Sequence, residues 1–204
     1  MGDAHRELRT RPPLIDPAPR IEAVSQDKPA QTFRVATTAD ALCISVLATQ
    51  VFLDTYATDG IRASLAREVN QQLSVRVVQD LLSAPGARFL VCERSGHMLG
   101  FVQLTLRAPH HLVPASRPAE LNRLYVLERF TGAGLGSTLL QRAEALAASE
   151  GISTLWLTAW VGNQRALAFY ARRGYADVGA TTYTFQDEQY ENRVFVKTLP
   201  GATG

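Results

Sequence analysis

Between Leu121 and Ser137 the chain reads L-N-R-L-Y-V-L-E-R-F-T-G-A-G-L-G-S. An apolar, β-prone run enters a glycine cluster that opens directly onto a helix, which confines the chain to folds where a strand hands over to a helix through exposed backbone. Gly132, Gly134 and Gly136 carry no side chains, so backbone N–H groups at this turn can close on an anion. The helix expected from about Ser137 aims the positive end of its dipole at the same point, and the turn suits a diphosphate.

The rest of the chain sets the scale of the fold around that turn. At 204 residues and 46% hydrophobic content it is long enough to bury one substantial core, and one folded domain is expected. A formal net charge of +2 with no acidic or basic block argues against nucleic acid and for small-molecule partners. No apolar run approaches the ~18 residues of a membrane helix, and Arg6, Arg9 and Arg11 have no apolar stretch behind them. A cytoplasmic protein with no membrane partner is therefore expected. Cys43 and Cys92 fall on an expected helix and an expected strand, as buried reduced thiols.

Five of the ten prolines, Pro12, Pro13, Pro17, Pro19 and Pro29, crowd the first thirty residues among charges. That composition describes a flexible N-terminal arm over residues 1–31, with the folded domain over 32–200. Phe33 to Val35 reads as a short strand, and Thr38 to Asp40 can cap a helix carrying Leu42, Val46, Leu47, Phe52 and Leu53. A second helix is expected from about Ile61 to Leu82, with Leu65, Val69, Leu73, Val77 and Leu81 as its core face. Runs 88–94 and 98–107 flank Ser95-Gly96-His97 and predict an antiparallel hairpin. A proline-rich loop with His110-His111 then leads to a strand over 120–127 and a helix over 137–150 that Gly151 ends. The remaining order is a strand over 154–160, a helix over about 163–173 and strands around 175–185 and 193–199. The result is an α+β domain with a mixed sheet, parallel across the 120–160 crossover and antiparallel in the flanking hairpins.

A glycine cluster alone leaves several chemistries open. A Walker loop ends in Gly-Lys-Ser/Thr, and Gly136-Ser137 lacks the lysine, which argues against nucleotide hydrolysis. A dinucleotide fold needs an acidic residue about twenty positions on, and the chain near Trp156 is apolar. Glycines that only turn a strand into a helix remain an option on this segment taken alone.

Downstream, Asn163-Gln164-Arg165-Ala166-Leu167-Ala168-Phe169-Tyr170 leads to Arg173-Gly174-Tyr175. With the glycine loop, this resembles the GNAT superfamily of acyl-CoA-dependent N-acetyltransferases, whose motif A is strand, glycine loop and helix, and whose motif B reads N-x-x-A-x-x-F-Y-x-x-x-G-[FY]. The resemblance spans roughly residues 33–199. The family loop usually reads R/Q-G-x-G-x-G/A, and its last two glycines on Gly134 and Gly136 place Thr131 at the arginine or glutamine position. A second register, from Arg129, leaves Gly136 unused.

The resemblance implies a GNAT fold with splayed central strands, acetyl-CoA as co-substrate, and no metal. The strand at 120–127 would part from that at 154–160, and Leu124, Tyr125 and Val126 would hold the pantetheine arm with their backbone. The diphosphate would sit on amides of Thr131, Gly132, Ala133, Gly134, Leu135, Gly136 and Ser137, and Asn163 lies where the family hydrogen-bonds the cofactor. Tyr170 takes the place of the tyrosine that protonates the departing thiolate, a role suited to a phenol because it stays protonated at neutral pH.

Strand alternation puts Glu120, Asn122 and Leu124 on one face. Asn122 stands where many relatives have a carboxylate and cannot take a proton, so Glu120, directly or through a water, is the candidate base, with His110 and His111 behind it. The strand and a W-L-x-x-W element, Trp156 to Trp160, resemble bacterial spermidine/spermine N-acetyltransferases of the PaiA type, as does Asp187-Glu188-Gln189, though the sequence after it departs from their pattern. Asp54, Asp59, Asp187, Glu188 and Glu191 are candidate carboxylates for a polycation. The expected reaction is transfer to a primary amine of a small molecule by direct attack in a ternary complex. Acetylation of a protein or peptide, and a coenzyme-binding sensor without catalysis, are the alternatives. The oligomeric state is open, a homodimer among the options.

Overall fold

The computed structural model describes residues 30–185 and 188–200. In chain order the elements are β1 (Thr32–Val35), α1 (Ala41–Tyr56), α2 (Ala63–Leu73), α3 (Val75–Ser83), β2 (Ala87–Arg94), β3 (His97–Leu106), β4 (Pro118–Val126), α4 (Leu135–Ser149), β5 (Thr154–Trp160), α5 (Gln164–Arg172), β6 (Ala176–Phe185) and β7 (Glu188–Thr198). The strands form one mixed sheet in the order β1-β2-β3-β4-β5-β7-β6. Only β4 and β5 are parallel, joined by the α4 crossover as expected from sequence. The expected N-terminal arm lies outside the described residues except for Ala30 and Gln31.

Alternation along the central strands sends their side chains into two cores. On one face Leu139, Leu140, Ala143 and Ala147 of α4 pack on Leu90, Val102, Leu104 and Leu155. On the other, Ile44, Leu47 and Ala48 of α1 and Val78 of α3 pack on Phe89, Val91 and Phe101.

The buried stripe of α1 differs from the expected one. Ala41, Ile44, Ser45, Leu47 and Ala48 face inward, whereas Leu42 and Val46 are exposed. The small residues in that stripe let the helix approach the sheet closely, so packing volume rather than hydrophobicity selects the face. Cys43 is accordingly exposed, against expectation, while Cys92 is buried. With the turn before it, α1 makes a 19-residue stretch, Thr38–Tyr56, that meets the length and composition of a membrane span, also against expectation. Its inner face is committed to the second core.

The helix expected over 61–82 is two helices. Ser74 is extended at φ −61° and ψ 153°, and the Ser45 hydroxyl donates to the Leu73 carbonyl at 2.5 Å, giving it a partner outside the helix. The break moves the buried position from Val77 to Val78.

Two features of the sheet position the site. β4 pairs with β5 only over Pro118 to Glu120, against Thr154 to Trp156; beyond that β4 continues to Val126 and β5 to Trp160 without pairing. The two strands splay, as the family resemblance implied. On its other edge β4 stays bonded to β3, and Gly100 makes the approach feasible, because a Cβ there would lie 2.6 Å from the Tyr125 carbonyl oxygen.

Candidate active site

The backbone of the glycine turn is open to an anion. Gly132 and Gly134 adopt positive φ, 77° and 83°, a region costly for residues with a Cβ. Gly134 caps α4, which starts at Leu135, two residues before the expected Ser137, so Leu135, Gly136 and Ser137 form its first turn. The Thr131 amide donates to the Glu128 carbonyl at 3.0 Å and its hydroxyl to the same oxygen at 2.8 Å. The Thr138 amide donates to Gly134. Between them, the amides of Gly132, Ala133, Gly134, Leu135, Gly136 and Ser137 have no acceptor among the described residues. This run at a helix N-terminus fits a diphosphate.

Beside the turn, the splay opens a cleft of about 400 Å³, lined by Val126 and Glu128 from the β4 side, Trp160, Asn163 and Arg165 from the β5 side, and Asp54 of α1. The Leu127 amide donates to the Leu99 carbonyl on β3 at 3.0 Å. Antiparallel alternation then turns the backbone groups of Tyr125 toward β3 and those of Leu124 and Val126 into the splay. Asn163 caps α5, its side-chain oxygen accepting from the Ala166 amide at 3.0 Å, and the residue lines the cleft. Arg165 spans the mouth to Glu128 through two bonds of 2.8 Å, and this pairing holds the Glu128 carboxyl below its ordinary value. Glu128 and Arg165 carried no signal in the sequence, since each is an isolated charge whose partner is set by the splay.

Tyr170 projects from α5 into the first core, against Phe169, Tyr175 and Phe195, and is almost fully buried. Burial, reinforced by the neighbouring Tyr125 and Tyr56, raises its proton affinity well above that of an ordinary phenol. Among the described residues nothing hydrogen-bonds its hydroxyl. The Tyr56 ring lies 5.7 Å from that of Trp160, so tyrosines from α1, β4 and α5 converge where the central strands part.

The face of β4 differs from simple alternation. Gln103 pairs with Arg123 but Leu104 with Leu121, so Asn122 is an extra residue, a bulge. Past the bulge the faces exchange: Leu124 joins the core beneath α4 with Leu121, correcting its expected place beside Glu120, while Arg123 and Tyr125 turn to the Glu120 side. Asn122 accepts from the Thr105 hydroxyl at 2.7 Å. Glu120 is half-buried; burial lifts its carboxyl above the ordinary range, opposed by a hydrogen bond with Asn122 and the charge of Arg123.

His110 packs against Trp156 in a tilted arrangement, with ring centres 4.6 Å apart, and its Nδ1 accepts from the Leu112 amide, which suits a packing role. Of the candidate carboxylates, Glu188 is held by Arg62 through two bonds of 2.7 Å and Glu191 lies 3.7 Å from Arg193, whereas Asp187 is outside the described residues. Above the Glu120 face, the Tyr183 hydroxyl of β6 donates to the buried Glu68 of α2 at 2.8 Å and bridges the two elements. Among the described residues no group of three or more metal-ligating side chains is gathered.

A mixed sheet that parts around a cleft, with free amides at the head of the crossover helix, defines the class of acyl-coenzyme A transferases. The profile of the Acetyltransferase (GNAT) family matches residues 55–175, and the chain belongs to that family. The chain is 24% identical over 150 residues, 74% of its length and 87% of the relative's, to the uncharacterized N-acetyltransferase in the pepI 3' region of Lactobacillus delbrueckii subsp. lactis. It is 28% identical over 155 residues, 76% and 92% of the two chains, to the aminoglycoside N(6')-acetyltransferase type 1 of Stenotrophomonas maltophilia. The fold matches the PaiA N-acetyltransferase of Thermoplasma acidophilum in complex with coenzyme A, with a TM-score of 0.64 at 20% identity over 83% of this chain and 99% of that one. The protein is an acetyl-CoA-dependent N-acetyltransferase.

Proposed function

We propose that the acceptor is a primary amine of a small molecule, acetylated by direct attack in a ternary complex, and that the protein works in the cytoplasm. The observation that supports this reading is the splay, which opens a cleft beside the run of free amides; Tyr170 lies in the core under α5, near Tyr56 and Tyr125, and Glu120 on β4. Acetyl-CoA, when bound, supplies an acetyl group activated as a thioester. The amides of residues 132–137 grip its diphosphate, Leu124 and Val126 offer backbone groups to the pantetheine arm, and the Asn163 NH₂ adds a donor.

Glu120 removes a proton from the acceptor ammonium, directly or through a water. The freed nitrogen attacks the thioester carbonyl, so a C–N bond forms as the C–S bond breaks. Tyr170 gives its proton to the departing sulfur; the attacking nitrogen sheds its extra proton to become the amide, that proton restores the Tyr170 phenol through water, and Glu120 releases its own to solvent. A raised proton affinity makes Glu120 a stronger base; it keeps Tyr170 protonated until the thiolate appears, while making its phenol a weaker acid than in water.

The test is thiol release from acetyl-CoA over a panel of amino acids, polyamines, aminoglycosides and peptides. Turnover of a small amine with saturating kinetics is expected. Turnover of peptides alone would replace the proposal with protein acetylation.

A further inference from the structure

We infer that the acceptor carries an acidic group, a carboxylate or a phosphonate, besides its amine, and that Arg123 receives it. The inference rests on the small-amine reading above and adds the chemistry of the acceptor's far end. Arg123 stands three residues from Glu120 and two from Tyr125, and the bulge at Asn122 puts all three on one face. Gln103, buried directly opposite on β3, holds Arg123 Nη1 through its amide oxygen. Tyr125 also takes a hydrogen bond from this guanidinium, and the two partners, both neutral, leave part of its five-donor fork without an acceptor.

Five other arginines have their anions: Arg34, Arg62, Arg88, Arg165 and Arg193 each pair with a carboxylate. Among the described residues Arg123 has none within ion-pair distance. Glu120 lies within its field, and so does Tyr183, which is bonded to Glu68 overhead. These groups temper its charge without satisfying it. A half-buried guanidinium aimed by a neutral amide is an unfavourable arrangement until an anion completes it, and its planar fork matches carboxylate and phosphonate oxygens two at a time.

Glu120 and Arg123 thus set opposite charges side by side along β4, a pattern complementary to a zwitterion. A polycation would place one of its ammonium groups against Arg123, which is unfavourable. Two carboxylates that could have attracted a polycation, Glu188 and Glu191, already lie against Arg62 and Arg193.

Matched acceptors test this with the full chain and acetyl-CoA. Rates are compared for glycine, β-alanine and aminoethylphosphonate, for the uncharged counterparts glycinamide, β-alaninamide and propylamine, and for spermidine. The acidic member of at least one pair is expected to exceed its counterpart in kcat/KM by about ten-fold or more, and the carboxylate and phosphonate arms identify the preferred acid. Arg123→Met is expected to raise KM for that acceptor by about ten- to a hundred-fold, with a much smaller change in kcat. Its coenzyme affinity by calorimetry stays unchanged, and Arg123→Lys keeps part of the preference. Equal or better use of the neutral amines or spermidine overturns the inference alone, as does an Arg123→Met variant with an unchanged acid-to-neutral ratio. Turnover of no small amine overturns the small-amine reading and this inference together. Should Arg123→Met fail to fold, the wild-type ratios and Arg123→Lys decide: a lysine variant indifferent to the acid while wild type prefers it supports guanidinium recognition, and wild-type indifference refutes it.

Discussion

Burial raises the proton affinity of both Tyr170 and Glu120, and the two groups answer to pH in different ranges. Tyr170 stays protonated throughout the physiological range, so its proposed role as acid is insensitive to pH there. Tyr170→Phe keeps the ring packing and removes the proton; kcat is expected to fall about a hundred-fold or more, with coenzyme affinity by calorimetry nearly unchanged. An unaltered kcat would remove Tyr170 from the chemistry. Glu120 can accept a proton only when ionised, and its carboxyl lies above the ordinary value of about 4.3. The rate is therefore expected to fall as pH drops through that raised value, and Glu120→Gln to abolish this acidic limb of the kcat/KM profile. A limb that persists in the glutamine variant assigns the base elsewhere. Both residues are proposed from the sequence, Tyr170 through its motif and Glu120 through alternation. Arg123 was not legible there, because only the bulge at Asn122 turns it to the face of Glu120, and a bulge leaves no mark in hydrophobic periodicity.

At the scale of elements, the handover from β4 to α4 concentrates the binding argument in a few backbone angles. Gly134 at φ 83° has no heavy atom within 4 Å of where a Cβ would stand, so a side chain there costs conformational strain rather than a clash. Gly134→Ala is expected to lower stability in urea by about 1–2 kcal/mol. It should also weaken coenzyme binding by about ten-fold as the amides on either side re-aim. Unchanged affinity in a destabilised variant would mean that the turn shapes the fold without gripping the ligand. The strand and helix positions around this turn were readable from glycine spacing and apolar period. The break at Ser74 was not, since a hydroxyl from α1 on the Leu73 carbonyl ends that helix and the contact spans 28 residues of sequence. The start of β7 at Glu188, well before the expected Arg193, has the same origin in pairing, here with β6.

For the whole molecule, function follows from a sheet that is continuous on both flanks and open in the middle. Three paired residues hold β4 to β5 at one end, and beyond them the two strands run on without pairing to each other. The succession of strands along the chain and the parallel crossover were legible because each element has its own period and punctuation; the place of β7 between β5 and β6 in the sheet was not. The face of α1 was not, because burial there follows the small residues that fit against the sheet. β1 starts at Thr32, and we propose the boundary between arm and domain near that residue.

The amide spectrum of isotope-labelled protein titrated with coenzyme A examines the account at its source. It predicts that the resonances of Gly132 to Ser137 move most and gain protection from exchange, with Leu124 and Val126 following. Saturating binding that leaves the amides of residues 132–137 unmoved would contradict it.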